Sequence, residues 1–320
     1  MIFYLFRKIR AYIRRKKAML NIYNRYADIR IDDAFKICFG TEANKDNMIG
    51  LLGLLIPDAH IVDITFMDKE FPGFVMSEKT TIFDVYCKTE DGRRIIVEMQ
   101  LKSQRHFVDR AIYYSTYPLR EQLSTPMETD SEPVRNYGLR PVYTISIVDF
   151  SLDHDDAEGA LTDGLLSSYS LRNDRNGERL SDTLHYVFFE LGRFHYGKNE
   201  LDRCSTGLEK LAYVFRYIMQ LDARPDELDE DFFIRLFHSA ELAGFTEADR
   251  EKYDKDMTTE LDKIAQLDYA REEGRVEGRE KEKIETAKKM LELGIEVEII
   301  RKVTSLSIEE IEEIQKLQGK

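Results

Sequence analysis

The stretch IFDVYCKTEDGRRIIVEMQL, residues 82–101, holds two short apolar arms around a turn, and each arm carries an acid where packing favours a hydrocarbon. The turn decides which residues meet. If Glu90, Asp91 and Gly92 form a three-residue loop with Gly92 left-handed, Thr89 pairs with Arg93, and counting outward sets Asp84 opposite Glu98. Residues paired in this way hold their Cβ atoms about 4.5–5.5 Å apart on one face. Gln100 follows two positions along on that face, while Val97, Met99 and Leu101 point the other way. A two-residue Asp91-Gly92 turn would set Asp84 against Met99 instead. The three-residue loop is favoured because it keeps Val85 and Val97 together on the apolar face.

Two like charges held so close must share a proton, sit in water or bind a cation. Magnesium prefers oxygen ligands at about 2.0–2.1 Å and takes one or two carboxylates plus waters and substrate phosphate. Asp84, Glu98 and the backbone carbonyl of Met99 offer such a set, with Gln100 in reach of a metal-bound water. An exposed strand pair with two solvated acids fits the same spacing, so spacing alone leaves both readings open.

Outward from the hairpin, residues 31–56 place Phe35, Phe39, Met48, Leu51, Leu52 and Leu55 at helical intervals, with a break at Gly40. IVDITFMD (61–68) alternates like a strand. Residues 104–123 predict a helix with Phe107, Ala111, Tyr114 and Leu119 towards the sheet and a kink or end near Pro118. RPVYTISIVDF (140–150) and TLHYVFFEL (183–191) predict strands, and the Asp-, Gly-, Ser- and Asn-rich residues 151–180 predict a loop. Helices follow from residue 200. EEGRVEGREKEKIE has almost nothing to bury and reads as a solvent-exposed helix or linker. Ser307 and Glu310 make a capping box for the last helix.

This order predicts an α/β core, about residues 21–195, then a helical segment (196–245) and a charged helical tail (246–320). Residues 1–20 form a basic extension with seven Lys or Arg in RKIRAYIRRKK. It reads either as a binder of phosphate or anionic lipid, or as a segment loosely docked on the fold.

The 320 residues are 42% hydrophobic and 33% charged, with a net charge of −13, so bulk charge does not advertise a nucleic-acid partner. Three cysteines without CxxC spacing argue against a zinc knuckle or disulfide scaffold and fit a reducing cytosol. No run of about 18 apolar residues occurs, so no membrane partner is expected and the chain reads as cytoplasmic. No His pair has metal-ligand spacing, and no phosphate-binding glycine loop opens a helix.

The Asp of one strand followed, across a turn, by Glu-x-Gln resembles the PD-(D/E)XK nuclease superfamily, specifically the Rpn family of recombination-promoting nucleases and putative transposases. YADIRIDDAFKICFGTEANKDNMIGLL (26–52) resembles that family's N-terminal block through Asp33, Phe35, Lys36, Phe39, Gly40, Asn44 and Lys45. FVDRAIYYST resembles its next helix, and EEGRVEGREKEKIETAKKMLELGI with LSIEEI resembles its tail. The resemblance spans most of residues 26–317.

It implies a restriction-endonuclease-like mixed sheet flanked by helices, with a helical C-terminal extension, and a Mg²⁺-dependent (or Mn²⁺-dependent) DNA endonuclease linked to recombination or transposition. Asp84 matches the first motif acid and Glu98 the second. Gln100 stands where the superfamily more often has Lys, and a neutral amide leaves more of the water activation to the metal. Asp33 either completes the metal's outer shell or serves as a cap or ion-pair partner. Arg110 and Tyr114, four apart on one helical face, grip DNA or else form an ion pair and a core tyrosine. Lys36 and Lys102 are further candidates for DNA.

A rival reading is a non-catalytic DNA-binding or assembly protein that kept the fold. Another is a homo-oligomer built through the C-terminal helices. The last helix carries Glu309, Glu310, Glu312 and Glu313, which repel phosphates and suit oligomerisation or packing better than DNA recognition.

Overall fold

The turn at residues 89–93 sets the sheet. The Gly92 N–H donates to the Thr89 carbonyl at 3.0 Å and the Thr89 N–H to the Arg93 carbonyl at 3.1 Å, with Gly92 left-handed at φ 88°. This is the three-residue loop expected from the sequence, and it registers β4 (Val85–Thr89) antiparallel to β5 (Arg94–Gln100), Val85 facing Val97 and Lys88 facing Arg94. A Cβ on Gly92 would be strained by its φ and would lie 3.3 Å from Arg140 Cγ. Gly92→Ala is therefore expected to cost about 1–2 kcal/mol in urea unfolding. An unchanged midpoint would show that the loop does not set the register.

The computed structural model describes residues 24–68, 70–71, 81–124, 138–152 and 164–318. The basic extension 1–20 lies outside them. Two compact units are present, one within Ala18–Met257 and one including Thr258–Lys320.

In the first unit, α1 (Asp32–Phe39) and α2 (Lys45–Leu55) precede β1 (Ile64–Phe66) and a small ladder of β2 (Glu70–Phe71) and β3 (Thr81–Ile82). After the hairpin come α3 (Phe107–Ser124), β6 (Val142–Val148), β7 (Leu166–Ser170), β8 (Leu184–Glu190), α4 (Gly207–Tyr217) and α5 (Asp231–Ser239). The main sheet has the order β1-β4-β5-β6-β8-β7; β5, β6 and β8 run parallel, and the other pairings are antiparallel.

Alternation along the strands fills both faces. Ile95, Val97, Ile145, Ile147, Val187 and Phe189 share a core with Phe35, Phe39, Leu51, Leu52, Phe215 and Phe237 of the helices. Opposite them, Ile96 and Tyr86 cluster with Tyr117, and Val148 and Phe188 with Phe107 and Ala111. The sheet is thus covered on both faces, as its parallel centre requires. The N-terminal piece is fixed by ions: Arg30 donates twice to Asp28, at 2.9 and 2.7 Å, and once to Asp149 at 2.9 Å, while Arg216 reaches Asp149 at 2.7 Å.

Two expectations are corrected. Residues 151–180 are not all loop, since β7 adds a strand at the sheet edge. Its LSSYS composition lacks apolar alternation because the strand is only half-buried or exposed. Pro118 does not end the helix: α3 runs through it to Ser124.

The charged segment is a single helix, α6 (Glu247–Glu292), which carries ion pairs three residues apart at Glu260–Lys263, Glu272–Arg275 and Glu280–Lys283. In the second unit its end joins α7 (Val297–Thr304) and α8 (Ile308–Gln318) around Ala287, Ile300, Leu306, Ile311 and Ile314. The Ser307–Glu310 capping box is formed, with bonds of 2.7 and 3.2 Å. Among the described residues no helix is long and apolar enough to cross a membrane.

Candidate active site

The site lies where β4 ends. Thr89 and Arg93 share a backbone hydrogen bond, so alternate pairs outward do the same, and Asp84 and Glu98 fall at a pair without such bonds, where side chains are closest. The chain bends away at Asp84. The Met99 N–H, left without a backbone partner on β4, donates to Asp84 Oδ2 at 2.8 Å. The Asp84 N–H in turn donates to Glu98 Oε1 at 3.2 Å. The N–H and C=O of one residue leave an extended strand on the same side, so the Met99 carbonyl also faces this gap.

Both acids resist ionisation. Asp84 is pushed up to about 7, first by burial and then by the charge of Asp32, with the Met99 N–H and Lys36 acting against the rise. Glu98 is raised well above the usual carboxylate range by burial and then by Asp84, partly offset by the Asp84 N–H and the Arg110 guanidinium.

Helix α1 supplies the flank. Gly40 ends it at a close approach, since a Cβ there would meet Val85 Cγ2 at 3.1 Å. Lys36 Nζ lies 2.6 Å from Asp32 Oδ2 and 4.0 Å from Asp84 Oδ1. Asp32, rather than Asp33, is the acid whose charge acts on Asp84. Asp33, about 100° further around the helix, joins Asp32 and Asp256 of α6 in an acidic trio whose carboxylate oxygens lie within 4.8 Å of one another. Asp32 is not among the residues expected at the site, although its i,i+4 spacing to Lys36 is a usable signal.

Helix α3 closes the other side. Arg110 Nη2 donates to Gln100 Oε1 at 2.6 Å and Nη1 to Gln104 Oε1 at 2.6 Å. Tyr114 packs edge-on against Phe83 at 5.3 Å, and burial and then the charge of Glu98 raise its hydroxyl pKa. Lys102 lies in the bend after β5, partly exposed and without an ion pair among the described residues. The structure therefore brings Asp84, Glu98, Met99, Gln100, Lys36, Arg110 and Tyr114 together, and sets Asp33 one step aside.

At the starts of the parallel strands a cleft of about 480 Å³ is lined by Arg93, Arg172, Arg179, Tyr143 and His185. Its cations are already engaged, Arg93 with Asp91, Arg179 with Asp182 and Arg172 with the Gly177 carbonyl.

A mixed sheet covered by helices on both faces, with two half-buried acids facing each other at the end of an antiparallel hairpin, has the architecture of a restriction-endonuclease-like nuclease core. The match to known families is specific: the model of the PD-(D/E)XK nuclease family transposases covers residues 29–270, and the chain belongs to that family. No curated protein and no solved structure matches it.

Proposed function

We propose that the chain is a divalent-metal-dependent DNA endonuclease working in transposition or recombination, with Asp84, Glu98 and the Met99 carbonyl as its metal ligands. The observation that carries this reading is the half-buried pair of facing acids. Each carboxylate places one oxygen on a backbone N–H of the facing strand, so both are fixed in position without being neutralised.

The donors fit Mg²⁺ or Mn²⁺: all are hard oxygens, and a cation relieves the burial and mutual repulsion that raise both acids. Bound there, the metal supplies Lewis acidity and a nucleophile active at neutral pH. The chain's residues do the rest. Asp84 and Glu98 hold the cation, and Asp32 adds negative charge beside them. Lys36, tied to Asp32 but 4.0 Å from Asp84, presents a cation to an incoming phosphate. Tyr114 and Lys102 border the same face and contact the DNA backbone, while Gln100 orients the water or the phosphate. Asp33 acts at a distance, through Asp32.

Two measurements test this reading. Plasmid nicking is expected with Mg²⁺ or Mn²⁺ and not with EDTA. Calorimetric titration of Mn²⁺ is expected to show binding that Asp84→Ala abolishes. Binding unchanged in Asp84→Ala defeats the assignment of the ligands.

A further inference from the structure

Gln100 is neutral where the resemblance puts a lysine, and the Arg110 guanidinium lies directly behind it. A guanidinium has five N–H donors and no acceptor. With Arg110 Nη2 2.6 Å from it, the Gln100 amide must turn its oxygen to Arg110 and its NH₂ away. The orientation follows from the chemistry of arginine rather than from telling amide oxygen from nitrogen. Arg110 is itself held: Nη1 bonds Gln104, and Cζ lies 5.4 Å from the Phe107 ring centre and 5.8 Å from that of Tyr114. Both terminal nitrogens already donate to side-chain oxygens of the protein, which holds the guanidinium toward Gln100.

We infer that Arg110 is a positioning residue that makes Gln100 a donor-only group, the pair together taking the place of a lysine ammonium. The amide NH₂ then serves as the donor, and the guanidinium one hydrogen bond behind it polarises the amide and supplies the positive charge. This inference rests on the nuclease reading of Asp84 and Glu98, and it assigns Arg110 to Gln100 instead of to the DNA backbone.

The test compares nicking kinetics of Arg110→Ala, Arg110→Lys and the double variant Arg110→Ala/Gln100→Lys, with ¹⁵N NMR of the Gln100 side-chain amide in metal-free protein. Arg110→Ala is expected to lower kcat at least tenfold, with the KM for plasmid and its salt dependence unchanged, and to shift the Gln100 amide resonances. Lysine at position 100 is expected to restore most of the lost kcat in the Arg110→Ala background.

A phosphate-gripping Arg110 gives the opposite pattern: KM rises, its salt slope falls by about one, and lysine does not rescue. That pattern, or Gln100 resonances that do not move, overturns the inference. Arg110→Lys keeps the stem, the charge and a donor-only head but not the fork that holds Gln100 and Gln104 together, so it should retain the fold and recover part of the kcat lost in Arg110→Ala. Glu98→Ala separates the two claims. If Glu98→Ala nicks like wild type, the assignment of the active site to Asp84 and Glu98 falls, while the amide resonances still decide whether Arg110 orients Gln100.

Discussion

Glu98→Gln is expected to lose metal-dependent nicking by at least about 100-fold, more than the loss typical of residues that only support a metal ligand, and at the same time to make the metal-free protein more stable at pH 8. The second half follows from the raised acids. Asp84 has its folded-state pKa pushed up to about 7, above the ordinary carboxylate value, with a side chain only 17% exposed. A group raised in this way contributes stability that is fully present below its unfolded pKa of about 4 and is lost as pH rises through its folded value. In the metal-free protein this contribution therefore falls between about pH 4 and pH 7. Glu98, also raised, adds to the fall. Glu98→Gln keeps the shape, removes one of the two repelling charges and should recover about 1–3 kcal/mol at pH 8. The difference between wild type and variant, measured by urea unfolding at pH 5 and pH 8, isolates the pair from every other titrating group. Saturating Mg²⁺ should restore stability to the wild type at pH 8 and do little for the variant. A variant less stable than wild type at pH 8 without metal would mean that the pair is not strained.

The hairpin was legible in sequence because its information is local. Gly92 dictates the loop, the loop dictates the register, and alternation then places Asp84, Glu98 and Gln100 without knowledge of the rest of the chain. What approaches the pair from elsewhere was less legible. Asp32 and Asp33 are adjacent in sequence, yet a helix turns about 100° per residue, so Asp32 acts on Asp84 while both acids approach Asp256. Only the packing of α1, set partly by the close approach at Gly40, decides which is which. Arg110 and Tyr114 were recognisable as neighbours on one helical face. That Arg110 is held by Gln100, ten residues earlier, depends on α3 crossing the end of β5, which spacing does not report. Strand β7 escaped notice for a different reason. At the sheet edge its side chains need bury little, and the serines that permit this are the residues that usually mark a loop.

Arg30→Ala is expected to destabilise the first unit by about 3–5 kcal/mol, because it leaves two carboxylates without the cation they share. Asp28 is 5% exposed, and Arg30 holds both of its oxygens. The third bond goes to Asp149, the residue after β6, whose own N–H donates to the Gln100 carbonyl at 3.0 Å. Arg216 still reaches Asp149 at 2.7 Å, so the loss falls mainly on Asp28, whose remaining charge has no other ion-pair partner among the described residues. The two acids share one guanidinium, so their losses are coupled. Asp28→Asn combined with Arg30→Ala should cost clearly less than the sum of the single substitutions, since it removes the charge that the arginine leaves behind. The consequence for the site is local: with Asp149 less firmly held, its amide should exchange with deuterium faster, loosening the support of Gln100 while the Asp84–Glu98 pair keeps its own cross-strand bonds. A change in the urea midpoint equivalent to less than about 0.5 kcal/mol, within the range of ordinary surface substitutions, would show that the N-terminal segment is held by its apolar contacts at Tyr26 and Ile29 instead of by these ions.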